Sequence, residues 1–405
     1  MAELRYDPRS PEVMADPFAH YAILREATPV QRYDGLAVPF YVVFRHQDVR
    51  EAEVDLDRYT ARYGAAPEYW EPGALVEDGP THMAFRMLIQ RRFTPKAMQV
   101  YAGFVERTVE SLIDAMAASG GVAELHDQLA IPLPVAMTAY LLGASDLEHT
   151  ELAYLADRMM FFSRGGQGPD QAHVAARVTA LYDAWIEARR DQLAAAGVGD
   201  PRPEHVGAAC ADDIVSDLVC GFVEGRRLTR AEQHRVIQTV IRGGVETTAN
   251  LITNLVWRLL EDRSRWEAVR ADPDGMIPLA VEESLRFDPP GLGLWRTTAR
   301  AFELHGQAIP AHAKVQMSYG SANRDPRVFS DPDQFRLDRP MSEMRQHLTF
   351  GAGPHTCIGQ HLSRLEATLA LKGLFRRMPN LRLAGETERI PDFSFWGRGK
   401  LPVAW

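Results

Sequence analysis

Residues 350–362 read FGAGPHTCIGQHL, and this stretch decides how the rest of the chain is interpreted. It holds Cys357, one of only three cysteines in the chain, with Gly351 and Gly353 before it and Gly359 just after it. Apolar residues then recur at three- and four-residue spacing, which predicts a helix that begins directly after the cysteine. The first turn of a helix favours a thiolate, and glycines let a backbone approach a flat, bulky group. A lone cysteine can be a packed core residue, a nucleophile or a metal ligand.

Composition and charge narrow the class of protein. The 405 residues are 46% hydrophobic and 24% charged, which is typical of a globular protein with a large core. A net charge of −9 without a dense Lys/Arg run gives no indication of a nucleic-acid or anionic-membrane partner. Neither a signal peptide nor an apolar run long enough to span a bilayer is visible. Sparse, unpaired cysteines favour a reducing compartment, so the cytoplasm is expected, with Cys210 and Cys220 as core residues.

Helical periodicity dominates the chain, and strand-like runs are few and short. Helices are predicted over Met98–Ala117, His173–Ala196, Arg230–Glu261 and Ile358–Arg377. Strands are predicted at 41–44, 304–309, 314–317 and 401–404. The sequence therefore predicts a mainly α protein with a small β-rich region, and a single domain over residues 1–405 is expected.

The cysteine stretch resembles the haem-binding loop of the cytochrome P-450 family, F-G-x-G-x-H/R-x-C-x-G. The fixed positions are matched by Phe350, Gly351, Gly353, His355, Cys357 and Gly359. The resemblance implies the P-450 fold, a single triangular, mainly helical domain. It also implies haem b (iron protoporphyrin IX), with Cys357 as the axial thiolate and with Phe350, His355 and Gly359 as haem-binding residues. A zinc site formed by His355, Cys357 and His361 is an alternative, because all three can ligate zinc.

Several distant stretches match further family patterns. Glu283 and Arg286 match E-x-x-R, which implies a buried structural network completed by Arg339. His82 and Arg86 match H-x-x-x-R, and together with Arg296 and His355 they are implied to hold the two haem propionates. The remaining match, to A/G-G-x-D/E-T-T, runs over residues 243–248.

The glycine pair at residues 243 and 244 lies within a predicted helix and costs about 1 kcal/mol per glycine relative to alanine, which indicates a bend or close approach of a ligand. By the resemblance the helix loosens at Gly243 to admit O2 beside the haem, and Glu246 with Thr247 deliver protons there. Arg242 departs from the family, since that position is more usually apolar. It stands four residues before Glu246, and we hypothesise that it gates or orients that carboxylate. A solvent-facing ion pair of little consequence is the alternative.

The resemblance implies a substrate pocket rich in aromatic residues. The expected lining residues are Trp70, Phe161, Phe162, Val240, Gly243, Leu292, Leu294, Trp295, Phe395 and Trp396. Such a lining favours a medium-sized hydrophobic molecule such as a terpenoid, an aromatic or a steroid-like compound.

The implied activity is that of a haem-thiolate monooxygenase, which hydroxylates its substrate with O2 and two electrons. The electrons are expected from NAD(P)H through a reductase and a 2Fe-2S ferredoxin, and the enzyme is expected to be a monomer. A basic surface would steer an acidic ferredoxin; the residues expected to form it are Arg91, Arg92, Arg345, Arg364, Lys372, Arg376 and Arg377. A haem-thiolate peroxygenase and a non-catalytic haem sensor are the alternatives.

Overall fold

The structure is a computed structural model that describes residues 5–118, 120–144, 149–163 and 168–405. Side chains are described for these residues except 149 and 160–163. In chain order the helices are α1 (Pro11–Ala15), α2 (Pro17–Ala27), α3 (His46–Val54), α4 (Gly79–Gln90), α5 (Pro95–Ala117), α6 (Pro132–Leu142), α7 (His149–Ser163), α8 (Gln171–Ala195), α9 (Ile214–Cys220), α10 (Arg230–Gly244), α11 (Glu246–Glu261), α12 (Arg263–Ala271), α13 (Pro273–Phe287), α14 (Tyr319–Ala322), α15 (Met341–Met344) and α16 (Gln360–Arg377).

The strands form one five-stranded sheet and several two- or three-stranded ones. They are β1 (Val30–Tyr33), β2 (Phe40–Val43), β3 (Tyr59–Thr60), β4 (Val122–Glu124), β5 (Phe222–Val223), β6 (Arg226–Arg227), β7 (Gly293–Thr298), β8 (Phe302–Leu304), β9 (Gln307–Ile309), β10 (Lys314–Ser318), β11 (Arg382–Leu383), β12 (Glu388–Arg389), β13 (Arg398–Lys400) and β14 (Pro402–Ala404). The largest sheet has the order β1-β2-β10-β7-β3, in which β10 runs parallel to β2 and antiparallel to β7.

Local sequence signals explain where the long helices begin. The Thr94 side chain accepts a hydrogen bond from the Ala97 N–H, and Pro95 takes the first position of α5. Helix α10 begins with a capping box, in which Thr229 and Glu232 each satisfy the other's backbone N–H. These helices start where the sequence supplies partners for otherwise unpaired N–H groups.

Close packing of α16 on α5 forms one side of the helical core. A Cβ built on Gly373 would lie 2.5 Å from Cγ1 of Val109, so glycine is what allows the two helices to approach this closely. Helix α11 is buried along most of its length, and it also contacts α16. The core therefore surrounds α11 and α16, two of the elements that border the candidate site.

The predicted long helix over residues 230–261 is broken in the structure. Helix α10 ends at Gly244, α11 begins at Glu246, and Val245 between them has φ −85° and ψ −70°. The Thr247 hydroxyl donates to the Gly243 carbonyl oxygen at 2.7 Å, as threonine hydroxyls do where they compete with helix backbone bonds. A Cβ on Gly244 would lie 2.9 Å from Oγ1 of Thr138, so α6 approaches closely at the break.

A buried charge network joins α13 to the loop that follows α14. Arg286 donates to both oxygens of Glu283, at 2.8 and 2.7 Å, and Arg339 Nε donates to the same carboxylate at 3.0 Å. All three side chains are fully buried, with 0% exposure. Arg286 also donates to the Asn323, Pro332 and Gln334 carbonyl oxygens, which accounts for its remaining N–H groups. The network therefore fixes this loop to the helical core.

The structure confirms the mainly helical prediction and most of the predicted elements. The helices predicted from periodicity correspond to α5, α8, α10 with α11, and α16, and the predicted strands to β2, β8 with β9, β10 and β14. Strand β7 was not predicted, because its sequence GLWRTT follows a Pro- and Gly-rich loop. Among the described residues, no helix has the length and apolarity that crossing a membrane requires.

Candidate active site

A cavity of about 840 Å³ lies between the α10–α11 break and the Cys357 loop. Its walls come from the loop before α4, from α4, α6, α10, α11 and β7, and from the start of α16. Residues far apart in the sequence meet here, including Cys357, Arg296 and Thr247. The cavity therefore brings together most of the separate motifs that the sequence analysis singled out.

The Cys357 residue is accessible where it borders this cavity, although protein atoms surround the site. Burial raises its thiol pKa, while the Gly359 N–H and the nearby Arg86 and Arg364 guanidinium groups act in the opposite direction. The Cys357 N–H donates to the Phe350 carbonyl oxygen at 2.8 Å, which closes the loop on itself. Helix α16 begins at Gln360, two residues later than the predicted start at Ile358. A cationic, N–H-rich setting of this kind suits a thiolate ligand.

Two glycines of the loop are also required by the backbone conformation at their positions. Gly351 and Gly353 have φ of +67° and +69°, a left-handed conformation that favours glycine. Built Cβ atoms would lie 3.1 Å from Oε1 of Glu53 and from its carbonyl oxygen, respectively. These two glycines therefore let the loop turn against the end of α3.

The zinc alternative does not fit the described structure. Within the described ranges, the group of His, Cys, Asp and Glu ligand atoms that come close enough to hold a metal ion is Glu124, His126 and Asp127. His355, Cys357 and His361 do not form such a group. Cys357 is therefore not part of a zinc site of the kind considered.

Four basic side chains form a cation cluster at one end of the cavity: His82, Arg86, Arg296 and His355. His82 and Arg86 lie one turn apart on α4, and the His82 ring is 4.0 Å from the His355 ring, centroid to centroid. His82 Nδ1 is buried without a hydrogen-bond partner in the described part of the chain. Burial and the positive charges of His355 and Arg86 lower the pKa of His82 to about 4. An anionic group placed here would offset the repulsion between these positive charges. The two carboxylates of a bound cofactor would supply such a group, and they would find hydrogen-bond donors here.

Two carboxylates in this cluster were not found from the sequence. Glu53 on α3 is buried and accepts hydrogen bonds from Arg296 and from the Tyr319 hydroxyl. The carboxylate of Asp78 lies 2.8 Å from His355 Nε2. Neither residue stands in a motif, and only the position of Glu53 on a buried helix face could have drawn attention to it.

The groove at the helix break contains part of the predicted proton-relay pair. Gly243 and Thr247 line the cavity, and apart from its chain neighbours and the backbone of its own helix, no described atom lies within 4 Å of a Cβ built on Gly243. Glu246 is the half-buried first residue of α11, and it is not among the described residues that line the cavity. Of the predicted pair, Thr247 is therefore the residue that borders the cavity.

Six of the predicted pocket residues line the cavity, and two lie elsewhere. Those in the wall are Trp70, Val240, Gly243, Leu294, Trp295 and Phe395. Leu292 and Trp396 instead pack in a separate core cluster, where Trp396 Nε1 donates to Asp288 Oδ1 at 3.1 Å. The side chains of Phe161 and Phe162 are outside the described residues.

Arg242 does not form the ion pair with Glu246 that the sequence suggested. Its guanidinium carbon stands 5.4 Å from the centroid of the Trp70 ring. Among the described residues, no carboxylate forms an ion pair with it. The spacing of four residues along the helix was therefore a poor guide, because the helix breaks before Glu246.

The predicted basic surface is largely neutralised by the chain's own carboxylates. Six of its seven members form ion pairs: Arg91 and Arg92 with Asp217, Arg364 with Glu282, Lys372 with Asp274, Arg376 with Glu110, and Arg377 with Asp114. Arg92 is moreover buried. Arg345 is the exposed member for which no ion pair is found among the described residues.

Comparisons of the sequence and of the structure with known proteins identify relatives in the same family. A family model described as Cytochrome P450 matches residues 18–387. Nocardicin C N-oxygenase of Nocardia uniformis subsp. tsuyamanensis is 32% identical over 424 aligned positions, which cover 100% of this chain and 99% of that protein. Steroid C26-monooxygenase of Mycobacterium tuberculosis is 30% identical over 375 positions, with 92% and 89% covered. The structure of P450BioI with hexadec-9Z-enoic acid ligated acyl carrier protein has a TM-score of 0.84 at 26% identity, with 97% and 100% covered.

One cavity is bordered by a cysteine near a helix start, by the cation cluster and by a broken helix. This arrangement is typical of a haem-binding oxidoreductase. The orphaned His82 Nδ1 and Cys357 at the cavity wall fit a haem with two carboxylates. The chain belongs to the cytochrome P450 family and has its fold. It is a monooxygenase, and as a family member it is a haem-iron protein that uses O2, binds a small substrate and acts with redox partners.

Proposed function

We propose that the enzyme hydroxylates a medium-sized hydrophobic molecule, such as a terpenoid, an aromatic or a steroid-like compound. Two electrons come from NAD(P)H through a reductase and a 2Fe-2S ferredoxin, and the enzyme acts as a single-domain monomer in the cytoplasm. One observation carries the proposal: a single cavity joins the Cys357 thiol and the cation cluster to the Thr247 groove and to an apolar wall.

The residues at one end of the cavity would hold haem b. Cys357 would supply the thiolate ligand, and His82, Arg86, Arg296 and His355 would pair with the two propionates. When bound, a thiolate-ligated haem supplies the oxygen-activating chemistry, and the protein supplies binding, orientation and electrostatics. Arg296 is already paired with Glu53, so cation and carboxylate both contribute to the charge around the propionates.

Thr247 holds a proton at the cavity wall. In the structure its Oγ1 donates this proton to the Gly243 carbonyl oxygen. Rotation of the hydroxyl would turn the proton towards the cavity, because Gly243 leaves open space beside it. Glu246 begins the next helix and stays the proposed source from which that proton is replaced.

The remaining wall is suited to a hydrophobic ligand. Leu294 and Phe395 supply apolar and aromatic surface, and Leu251 adds an aliphatic side chain. Trp295 also borders the cavity, but its ring packs in the core cluster of Leu292 and Trp396. Exclusion of water by such a wall favours binding of apolar compounds, at roughly 25 cal/mol for each Å² of apolar surface buried. The cavity volume of about 840 Å³ accommodates a cofactor at one end and a ligand beside it.

The carbon-monoxide difference spectrum of the dithionite-reduced protein tests this function. A strongly red-shifted Soret band is expected for thiolate ligation, and Cys357→Ser should lose it. Substrate-dependent NAD(P)H consumption with a surrogate ferredoxin and reductase should then accompany hydroxylated product. Product formed with hydrogen peroxide alone, and none with NAD(P)H, would instead identify a peroxygenase. Ligand binding without turnover under either condition would identify a sensor.

A further inference from the structure

Arg242 places a cation in the wall of the substrate cavity, and no described carboxylate forms an ion pair with it. It lies on α10, next to Gly243 and just before the helix break, and it lines the cavity. Its Nε is buried and has no hydrogen-bond partner in the described structure. Burial lowers the pKa of this guanidinium, and no described carboxylate is near enough to oppose the effect. A half-buried cation without a paired carboxylate is favourably placed for an anionic ligand, which would bind at its accessible Nη groups.

The other arginines of the cavity wall already have partners or a role. Arg296 is paired with Glu53, and Arg235 donates to the Pro72 carbonyl oxygen. Arg86 stands in the cation cluster beside the Cys357 thiol. Arg242 alone among these four is left for a ligand, within the part of the chain that the structure describes.

Acidic residues are available in the same cavity, yet they do not neutralise Arg242. Glu68 and Glu71 both line the cavity. Glu68 lies near Lys314, whose positive charge opposes the rise that burial causes in the pKa of Glu68. Because neither carboxylate pairs with Arg242 in the structure, the guanidinium remains open to an incoming group.

The guanidinium is held in place by an aromatic platform. Trp70 lies against one side of it, with 5.4 Å from the guanidinium carbon to the ring centroid. Gly64 seats that ring, because its φ is +86° and a Cβ there would lie 2.3 Å from Cδ2 of Trp70. The loop is fixed in turn by Lys314, which donates to the Tyr63 and Gly64 carbonyl oxygens at 2.8 and 3.2 Å. A guanidinium over an aromatic ring can still present an N–H edge that binds a carboxylate through two parallel hydrogen bonds.

We propose that Arg242 binds a carboxylate of the substrate, so that the enzyme acts on medium-sized hydrophobic carboxylic acids. This inference rests on the proposed function, and it narrows the substrate class of the same cavity. The apolar wall receives the hydrocarbon part of the acid, while Arg242 and Trp70 fix its charged end. With that end fixed, the carbon that reacts is set by its distance from the carboxylate.

Spin-state titrations of the ferric holoenzyme test the inference. The probes are dodecanoic acid, 4-cyclohexylbenzoic acid and dehydroabietic acid, each compared with its primary amide. We expect at least one acid to bind at least tenfold more tightly than its amide, a difference of about 1.4 kcal/mol. Arg242→Gln should bring the acid and its amide to similar dissociation constants, and Arg242→Lys should keep part of the preference. Arg235→Gln, two turns earlier on α10, removes another cavity arginine and should leave the preference unchanged.

The outcomes separate this inference from the proposed function. A red-shifted carbon-monoxide band with no acid preference in any pair, or with a preference that Arg242→Gln does not change, would overturn the role of Arg242 alone. The role of Arg242 would also be overturned if no acid shifts the spin state at any concentration up to its solubility limit. Absence of the band in the wild-type protein would overturn the proposed function itself.

Discussion

Replacement of Glu283 by glutamine should destabilise the folded protein severely. The substitution keeps the size of the side chain and removes its charge. Arg286 then loses the carboxylate to which it donates two hydrogen bonds, and Arg339 loses one of its two carboxylate partners. Since both guanidinium groups are fully buried, water cannot replace the lost charge.

The expected cost follows from the geometry of the network. Breaking a buried ion pair by removing one partner costs about 3–5 kcal/mol, because the other charge stays buried and uncompensated. Folded proteins are stable by only about 5–15 kcal/mol in total. Glu283→Gln should therefore remove a large fraction of the free energy of unfolding, or prevent accumulation of the folded protein.

The chain provides a matched control in Glu267 on α12. This carboxylate also accepts hydrogen bonds from two arginines, Arg263 and Arg270, but it lies at the surface. Glu267→Gln should leave the unfolding midpoint nearly unchanged, because both of its arginines stay hydrated. Urea unfolding of the haem-loaded protein, followed by far-UV circular dichroism and by the Soret band, compares the two variants. Equal, small shifts for Glu283→Gln and Glu267→Gln would refute the argument from burial.

Three further predictions concern turnover, pH and salt. Thr247→Ala should divert NAD(P)H electrons to peroxide while Thr247→Ser should not, as the ratio of product to NAD(P)H consumed will show; an unchanged ratio in the alanine variant would exclude the hydroxyl from proton transfer. Burial raises the pKa of Glu282, but hydrogen bonds from His347 and Arg364 outweigh this and lower it from 4.5 to about 2. The stabilisation of the fold by this carboxylate is therefore complete above pH 4.5 and lost as the pH falls towards 2. Glu282→Gln should flatten the acid side of the plot of unfolding free energy against pH. A wild-type slope in the variant would contradict this. Because most of the basic surface is paired, the rate of ferredoxin-dependent reduction should vary only weakly with salt concentration. Arg345→Glu should lower this rate. A steep dependence of the rate on salt would show that the paired residues still attract the donor.

The sequence was informative where local patterns determine structure. Periodicity located α5, α8 and α16 within a few residues, and the two glycines at 243 and 244 indicated the break that separates α10 from α11. These features depend on residues close together in the chain, so they are readable without the fold. The family patterns add to this, since each fixes a residue type at a set spacing.

Features that depend on tertiary contacts were not accessible in the same way. Strand β7 is defined by its pairing with β10 and β3, which its own composition does not indicate. The partner of Arg242 proved to be Trp70, which lies in a distant loop, while the near-sequence candidate Glu246 lies beyond the helix break. Glu53 was missed because a glutamate on a helix is usually solvated, and only the fold buries this one against Arg296 and Tyr319.

Strand β7 has a consequence for how this enzyme can change during evolution. Leu294, in the substrate wall, and Arg296, in the cation cluster, are alternate residues of this strand and so share one face of the sheet. Their pairing opposite Met317 and Val315 of β10 sets the positions of both. A single-residue insertion or deletion would turn both side chains to the opposite face at once. Point substitutions at residue 294 can therefore diversify the accepted ligands, whereas changes of length are better tolerated in the loop between β3 and α4, which also borders the cavity.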